Sequence, residues 1–213
     1  MKPDYKTISI LGDSIANGYF DLGTNGWVNR LIAKLQAKKP YGFYCRNFAV
    51  SGDRIPECLS RFRSEVVSNP GDPGDPLIIA CGVNDLSRWG TRDSELSISP
   101  PVRLNYWNKL LSDAKKFFDR IYICEILPVD ESRVPAREDD YGLKQYYRND
   151  DIAAYNTELA KLAKKYGVTY ISFSQELQNI DWNNHLFDDV HPNEKGHAFI
   201  AEHIYSVISK DLL

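Results

Sequence analysis

The stretch Ile8-Ser9-Ile10-Leu11-Gly12-Asp13-Ser14 is an apolar run that stops on a glycine, an acid and a serine. Similar runs, short and rich in Ile, Val and Tyr, stand at 5–11, 43–50, 77–81, 121–127 and 168–173. They are apolar enough to be covered on both faces, as parallel strands are. Helical spacing fills the gaps. Val28, Leu31, Ile32 and Leu35 mark one stripe, and Leu104, Trp107, Leu111, Ala114 and Phe118 a second, opening at Ser99-Pro100-Pro101. Ile152, Tyr155, Leu159 and Leu162 form a third that ends at Gly167, and Ile200, Ile204, Val207 and Ile208 a last one, on a helix opening near Pro192. A weaker stripe predicts a short helix in 53–67. Regular β-α alternation implies right-handed crossovers, hence a parallel sheet with helices on both faces. The expected fold is α/β: a three-layer α/β/α, flavodoxin-like arrangement with a five-stranded parallel sheet in the order 2-1-3-4-5.

The chain has 213 residues and a formal net charge of -3, from 26 Lys+Arg against 29 Asp+Glu. That length suits one domain, 1–213, able to bury a core without staples. The β-α units use nearly all of it, leaving one surplus insertion at 128–148, where substrate specificity is expected. Asn69-Pro70-Gly71-Asp72-Pro73-Gly74-Asp75-Pro76 reads as a stiff turn inside a repeat rather than a boundary. No excess of basic residues is available to replace phosphate counterions, which argues against nucleic acid. No apolar run approaches the ~18 residues of a membrane span. Cys45, Cys58, Cys81 and Cys124 show no metal-ligand spacing and read as small buried hydrophobes. With no secretory leader at the start of this sequence, the expected compartment is cytoplasmic.

Ligands bind such sheets beyond the carboxyl ends of the strands, where the strand order reverses. The loops there carry Gly12-Asp13-Ser14, Ser51-Gly52-Asp53, Gly82-Val83-Asn84-Asp85 and Asp188-Asp189-Val190-His191-Pro192. Each residue has a modest explanation alone. Ser14 would cap a helix, Asn84 would brace its own turn, and Gly52 and Gly82 would serve positive φ. Converging on one sheet edge, they supply the parts for acyl transfer: nucleophile, base, orienting acid and oxyanion donors.

Those four blocks, together with Asn47-Phe48-Ala49-Val50 ahead of Ser51, resemble the SGNH hydrolases, also called GDSL-type esterases and lipases. They occur in that family's order and span nearly the whole chain. The resemblance implies the three-layer α/β/α fold and a serine esterase needing no cofactor and no metal. By the same likeness Ser14 is the nucleophile, His191 its base and Asp188 the acid that orients the imidazole. The backbone N–H groups of Ser14 and Gly52 and the side-chain amide of Asn84 form the oxyanion hole. An α/β-hydrolase nucleophile elbow is excluded, because several strands precede the serine in that fold and only one does here.

The expected partner is a small-molecule ester. Residues expected to touch it are Asp13, Arg88, Trp89, Tyr141 and His185, with Arg92, Arg133, Arg137, Tyr146 and Tyr147 on the same loops. Aromatic side chains there would stack on sugar rings, and arginines would hold an anionic group. A single Met and no Phe-rich lid favour a short acyl group over a long lipid chain. Two alternatives stand beside this reading. One is a metal-dependent hydrolase using Asp188, His191 and His197. The other is a non-catalytic flavodoxin-like binding module with acids Asp13 and Asp85 at its strand ends. His197 is expected to serve structure and His203 to lie on the surface.

Overall fold

A computed structural model of the chain describes residues 5–68, 72, 74–135 and 137–213. The first half runs β1 (Lys6–Gly12), α1 (Ser14–Asn17), α2 (Gly26–Lys38), β2 (Phe43–Asn47) and α3 (Ile55–Arg61). A π-helical turn at Phe62–Val66 leads to β3 (Pro76–Ala80), a 3₁₀ turn (Val83–Leu86), β4 (Arg88–Trp89) and α4 (Pro100–Ala114). The second half runs β5 (Arg120–Cys124), β6 (Arg137–Glu138), β7 (Lys144–Tyr146), α5 (Asn149–Tyr166) and β8 (Thr169–Ile171). It closes with α6 (Ser174–Leu177), a 3₁₀ turn (Trp182–His185) and α7 (Glu194–Leu212).

Five strands form one parallel sheet, β2-β1-β3-β5-β8, which is the predicted order 2-1-3-4-5. Alternation along the central strands feeds two cores. Leu11, Leu77, Ile79, Ile121 and Ile123 pack towards α3, α4 and α5. Ile8, Ile10, Ile78, Tyr122 and Ile171 pack towards α2 and α7. Because both faces are buried, neither can tolerate a register slip, which would exchange the two sets of side chains. The crossovers place all the strand-end loops singled out above on one edge.

Several boundaries differ from the sequence reading. The second strand stops at Asn47 instead of residue 50, because the Asn47 side chain turns the backbone. Its Oδ1 accepts from Ala49 N (3.0 Å) and its Nδ2 donates to Ala16 O (2.9 Å). The fifth stops at Ile171, where the Glu125 carboxylate takes the N–H groups of Phe173 and Ser174 that would otherwise extend a ladder. The stripe in 53–67 is α3 plus the π-helical turn. Residues 69–71 and 73 of the expected stiff turn lie outside the described residues, as do residues 1–4. A second, antiparallel sheet, β4-β7-β6, was not predicted, since its strands of two or three residues are too short to show alternation. It ties Trp89 to Gln145 and Gln145 to Arg137, so the insertion is a hairpin braced on β4.

His203 corrects the expectation of a surface residue: its Nε2 lies 2.6 Å from Ser172 O and its ring 4.8 Å from that of Phe173. Cys58, Cys81 and Cys124 are buried and Cys45 is partly so. Burial pushes the Cys45 and Cys124 thiols up to about 12, which leaves them unreactive at neutral pH. Among the described residues no helix is long and apolar enough to cross a membrane.

Candidate active site

The site begins where β1 ends. A Cβ on Gly12 would lie 2.6 Å from both the Ala80 carbonyl oxygen and the Ala16 Cβ, so only glycine lets the chain turn here between β3 and α1. Asp13 then caps the turn, its Oδ1 accepting from Ile15 N at 3.0 Å. With 2% exposure, it is a buried brace, which corrects its expected place against substrate. Burial, reinforced by the nearby acids Asp85 and Asp53, pushes its carboxyl up to about 7 although backbone N–H groups partly offset this.

The cap leaves the Ser14 hydroxyl 2.9 Å from His191 Nε2. On the other side of the ring, Nδ1 lies 2.7 Å from Asp188 Oδ2. The second carboxylate oxygen, Oδ1, accepts from Val190 N (2.8 Å) and His191 N (2.6 Å), which fixes the turn that carries both residues. Burial works against charge on Asp188, but the bonds from the His191 ring and backbone outweigh it and hold the carboxyl well below the usual range. Such a chain can move a serine proton onto imidazole with the resulting charge balanced by a carboxylate.

The neighbouring loops are bonded to this turn and to one another. Val50 N donates to Gly12 O (3.1 Å), and Asn17 Nδ2 to Ser51 Oγ (3.3 Å). Gly52 sits at φ +86°, and a Cβ there would meet nothing within 4 Å, so its backbone faces open space. Asn84 spends one amide hydrogen on Asp53 O (3.0 Å) and keeps its second. Its neighbour Asp85 is fully buried and accepts from Ile55 N (2.9 Å) and Tyr155 Oη (2.7 Å), while Tyr155 in turn accepts from Trp107 Nε1 (2.6 Å). Burial lifts the Asp85 carboxyl to about 6 despite those bonds. Asp53 is held by Arg61 Nε at 2.6 Å.

Sequence reasoning missed an aromatic wall. Tyr19 and Phe20 approach the His191 ring at 5.6 and 5.3 Å, and Phe20 stacks on Phe187 at 4.0 Å. Tyr19 and Phe187 are about half exposed. The available signal was position: Phe187 directly precedes Asp188, and Phe20 lies six residues after Ser14.

The residues named as substrate contacts fare unevenly. The Arg88 guanidinium is committed to both oxygens of Asp151 (2.9–3.0 Å) and to Ser94 O, which ties it to the protein rather than to a substrate. Trp89 is partly exposed on β4, and Tyr141 is 90% exposed in the turn joining β6 to β7. His185 stacks on Trp182 and points Nδ1 at Asp181 O (2.9 Å), an intraloop role. Arg133 binds Asp130, Arg92 meets Glu131, and Tyr147 is buried. Arg137 is brought to the centre, its Nη2 3.2 Å from Asp188 Oδ2 and 2.8 Å from His191 Nδ1. His197 is buried with both ring nitrogens occupied: Nδ1 accepts from Trp27 N (3.2 Å) and Nε2 donates to Tyr19 O (2.8 Å). It therefore has no free lone pair for a metal, and the metal-dependent reading loses its third ligand. Among the described residues, no cluster of His, Cys, Asp and Glu has ligand geometry.

Known proteins agree with this architecture. The chain is similar in structure to the lipase/acylhydrolase from Enterococcus faecalis, with a TM-score of 0.77 at 18% identity, covering 98% of this chain and 97% of that one. It is also similar to Axe2, an acetylxylan esterase from Geobacillus stearothermophilus (TM-score 0.74, 18% identity, 98% and 96% covered). In sequence it is 22% identical over 222 residues to the uncharacterized protein YpmR of Bacillus subtilis (strain 168), covering 98% of this chain and 83% of YpmR. Residues 10–199 match the model of the GDSL-like lipase/acylhydrolase family, a span that takes in every strand-end block from Gly12 to Pro192, and the chain belongs to that family.

Proposed function

We propose that the protein is a serine esterase that removes short acyl groups from alcohols, with acetylated carbohydrates as the favoured class. Ser14 Oγ attacks the ester carbonyl while His191 Nε2 takes its proton, and Asp188 stabilises the imidazolium. The oxyanion of the tetrahedral intermediate lies against Ser14 N–H, Gly52 N–H and the spare amide hydrogen of Asn84. His191 then returns the proton to the departing alkoxide, leaving an acyl-serine. Water attacks this in the reverse proton order, releasing the carboxylic acid and restoring Ser14.

One observation carries the reading: the Ser14–His191–Asp188 relay, with contacts of 2.9 and 2.7 Å, stands on the strand-end edge. Axe2 offers a parallel, since its Asp→Ala and His→Ala variants, at positions three apart, are each described as catalytic mutants. Asp188 and His191 have the same spacing. The half-exposed Tyr19 and Phe187 beside the base suit the flat faces of a sugar ring. The β6–β7 hairpin, which brings Arg137 to Asp188, contributes to alcohol selection.

The test is hydrolysis of p-nitrophenyl acetate, followed by a panel of acyl esters, thioesters and acetylated xylo-oligosaccharides. Ser14→Ala is expected to lower turnover by about 10⁴-fold or more. Full activity in that variant sinks the mechanism, and equal rates on acetyl and decanoyl esters sink the short-acyl assignment.

A further inference from the structure

The β6–β7 hairpin sends one side chain into the relay. Arg137 Nη2, His191 Nδ1 and Asp188 Oδ2 form a triangle with sides of 2.8, 2.7 and 3.2 Å. A guanidinium offers donors only. In the tautomer that lets Nε2 accept the Ser14 proton, Nδ1 is also a donor, so both nitrogens aim at the same carboxylate oxygen. Arg137 therefore anchors Asp188 from outside the turn, while its charge sits beside a ring that must become positive during the reaction.

A second acid explains why a cation is placed there. Asp189 is 2% exposed, and its Oδ1 has no hydrogen-bond partner among the described residues. Burial and the neighbouring Asp188 push its carboxyl up, while Arg137 acts in the opposite sense. Around His191, its own turn contributes Asp188 and Asp189, and the β1–α1 segment contributes Asp13, Ser14 and Tyr19. α7 contributes neutral His197, the segment after β7 uncharged Tyr147, and β6 the guanidinium of Arg137. We propose that Arg137 is a positioning residue of the hydrolytic site: it is the counter-cation of the Asp188–Asp189 pair, and its charge sets where the acid limb of the activity profile lies. This inference rests on the esterase reading above.

The experiment is the pH dependence of kcat/KM on p-nitrophenyl acetate between pH 5 and 9, for wild type, Arg137→Gln, Arg137→Lys and Ser14→Ala. Removing a half-screened positive charge at this distance is expected to move the acid limb upward by about half to one pH unit. Arg137→Lys is expected to recover at least half of that displacement. Arg137 lies on an exposed hairpin, its side chain 37% accessible, so both variants are expected to keep the wild-type circular dichroism melt. An Arg137→Gln profile that superimposes on wild type after scaling overturns the proposal, whatever its height, because a merely structural role lowers the curve without moving it. A lysine variant displaced as far as the glutamine variant also overturns it. With Ser14→Ala inactive, these failures concern Arg137 alone, whereas an active Ser14→Ala overturns the esterase reading and this inference together.

Discussion

Replacing His197 by alanine tests how α7 holds the segment that follows the nucleophile. His197 caps a helix it does not belong to. The first N–H groups of α2 lack intrahelical partners, and Asn25 provides no side-chain cap. Asp21 Oδ2 takes Gly26 N (3.2 Å) and His197 Nδ1 takes Trp27 N (3.2 Å), while His197 Nε2 holds Tyr19 O (2.8 Å). Alanine strands the Trp27 N–H, loosens the Tyr19 carbonyl and leaves an imidazole-sized void. An orphaned buried backbone group costs about 1–3 kcal/mol, and the void adds to that, so a loss of about 3 kcal/mol is expected. For a chain of this size that is about 6–12 °C in melting temperature. The sign with pH follows from the ring's neutrality. Burial lowers the proton affinity of His197 in the folded state, so below about pH 6.5 the unfolded chain binds a proton that the folded one refuses. Wild type is therefore fully stabilised above that pH and loses stability as pH falls, by at most about 1.4 kcal/mol per unit. The alanine variant lacks this dependence. Urea unfolding at pH 7.5 and 5.5 should show the gap between the two proteins narrowing at the lower pH. A gap below about 0.5 kcal/mol at pH 7.5, or one that widens on acidification, would refute the cap.

Gly12→Ala drives a methyl group against the Ala80 carbonyl at 2.6 Å, and backbone cannot yield as a side chain does. A drop of about 2 kcal/mol or more in urea unfolding is expected, with esterase activity falling further than stability alone explains. Asn84→Ala removes one oxyanion donor and the tie to Asp53 O, so kcat should fall by about 10²–10³-fold with KM nearly constant. An unchanged kcat with a raised KM would assign Asn84 to ground-state binding instead.

The sheet was legible because its chemistry repeats. The central strands β1, β3 and β5 are buried almost throughout and so leave a signal in nearly every residue, and the two core sets alternate along β1 and β3 with little interruption. The relay residues were legible for a different reason: Ser14 directly follows β1 and the Asp188–His191 pair lies in the segment before α7, and only their convergence with the other strand-end blocks outweighs the modest explanation each has alone. What escaped was decided by long-range geometry. Tyr19, Phe20 and Phe187 look like ordinary aromatics until the 3₁₀ turn at Trp182–His185 folds Phe187 back onto Phe20. The arginines of the loops were indistinguishable in sequence, yet Arg88 pairs with Asp151, Arg133 with Asp130, and Arg137 with the relay. Only pairing across the small antiparallel sheet decides which of them reaches His191.

The same geometry explains why so many acids gather beneath a site proposed to stabilise an oxyanion. Asp13, Asp53 and Asp85 each lie at a strand end and brace the loops there: Asp13 accepts from Ile15 N in its own turn, Asp53 from Arg61 on the helix that follows, and Asp85 from Ile55 N of another loop. Fixed negative charge there opposes a developing oxyanion, so the arrangement needs a reason. Asp53 is neutralised by Arg61, whereas burial lifts the Asp13 and Asp85 carboxyls to about 7 and 6, with Asp85 and Asp53 adding to the shift of Asp13. Near neutrality Asp13 is therefore substantially protonated, and the field it exerts on Ser14 is weak. The acids serve as acceptors that lock loop N–H groups in place while carrying less charge than their number suggests. A serine or asparagine brace would accept as well, but would satisfy fewer donors from one position. Rigid loops with moderated charge are what a preorganised oxyanion site requires.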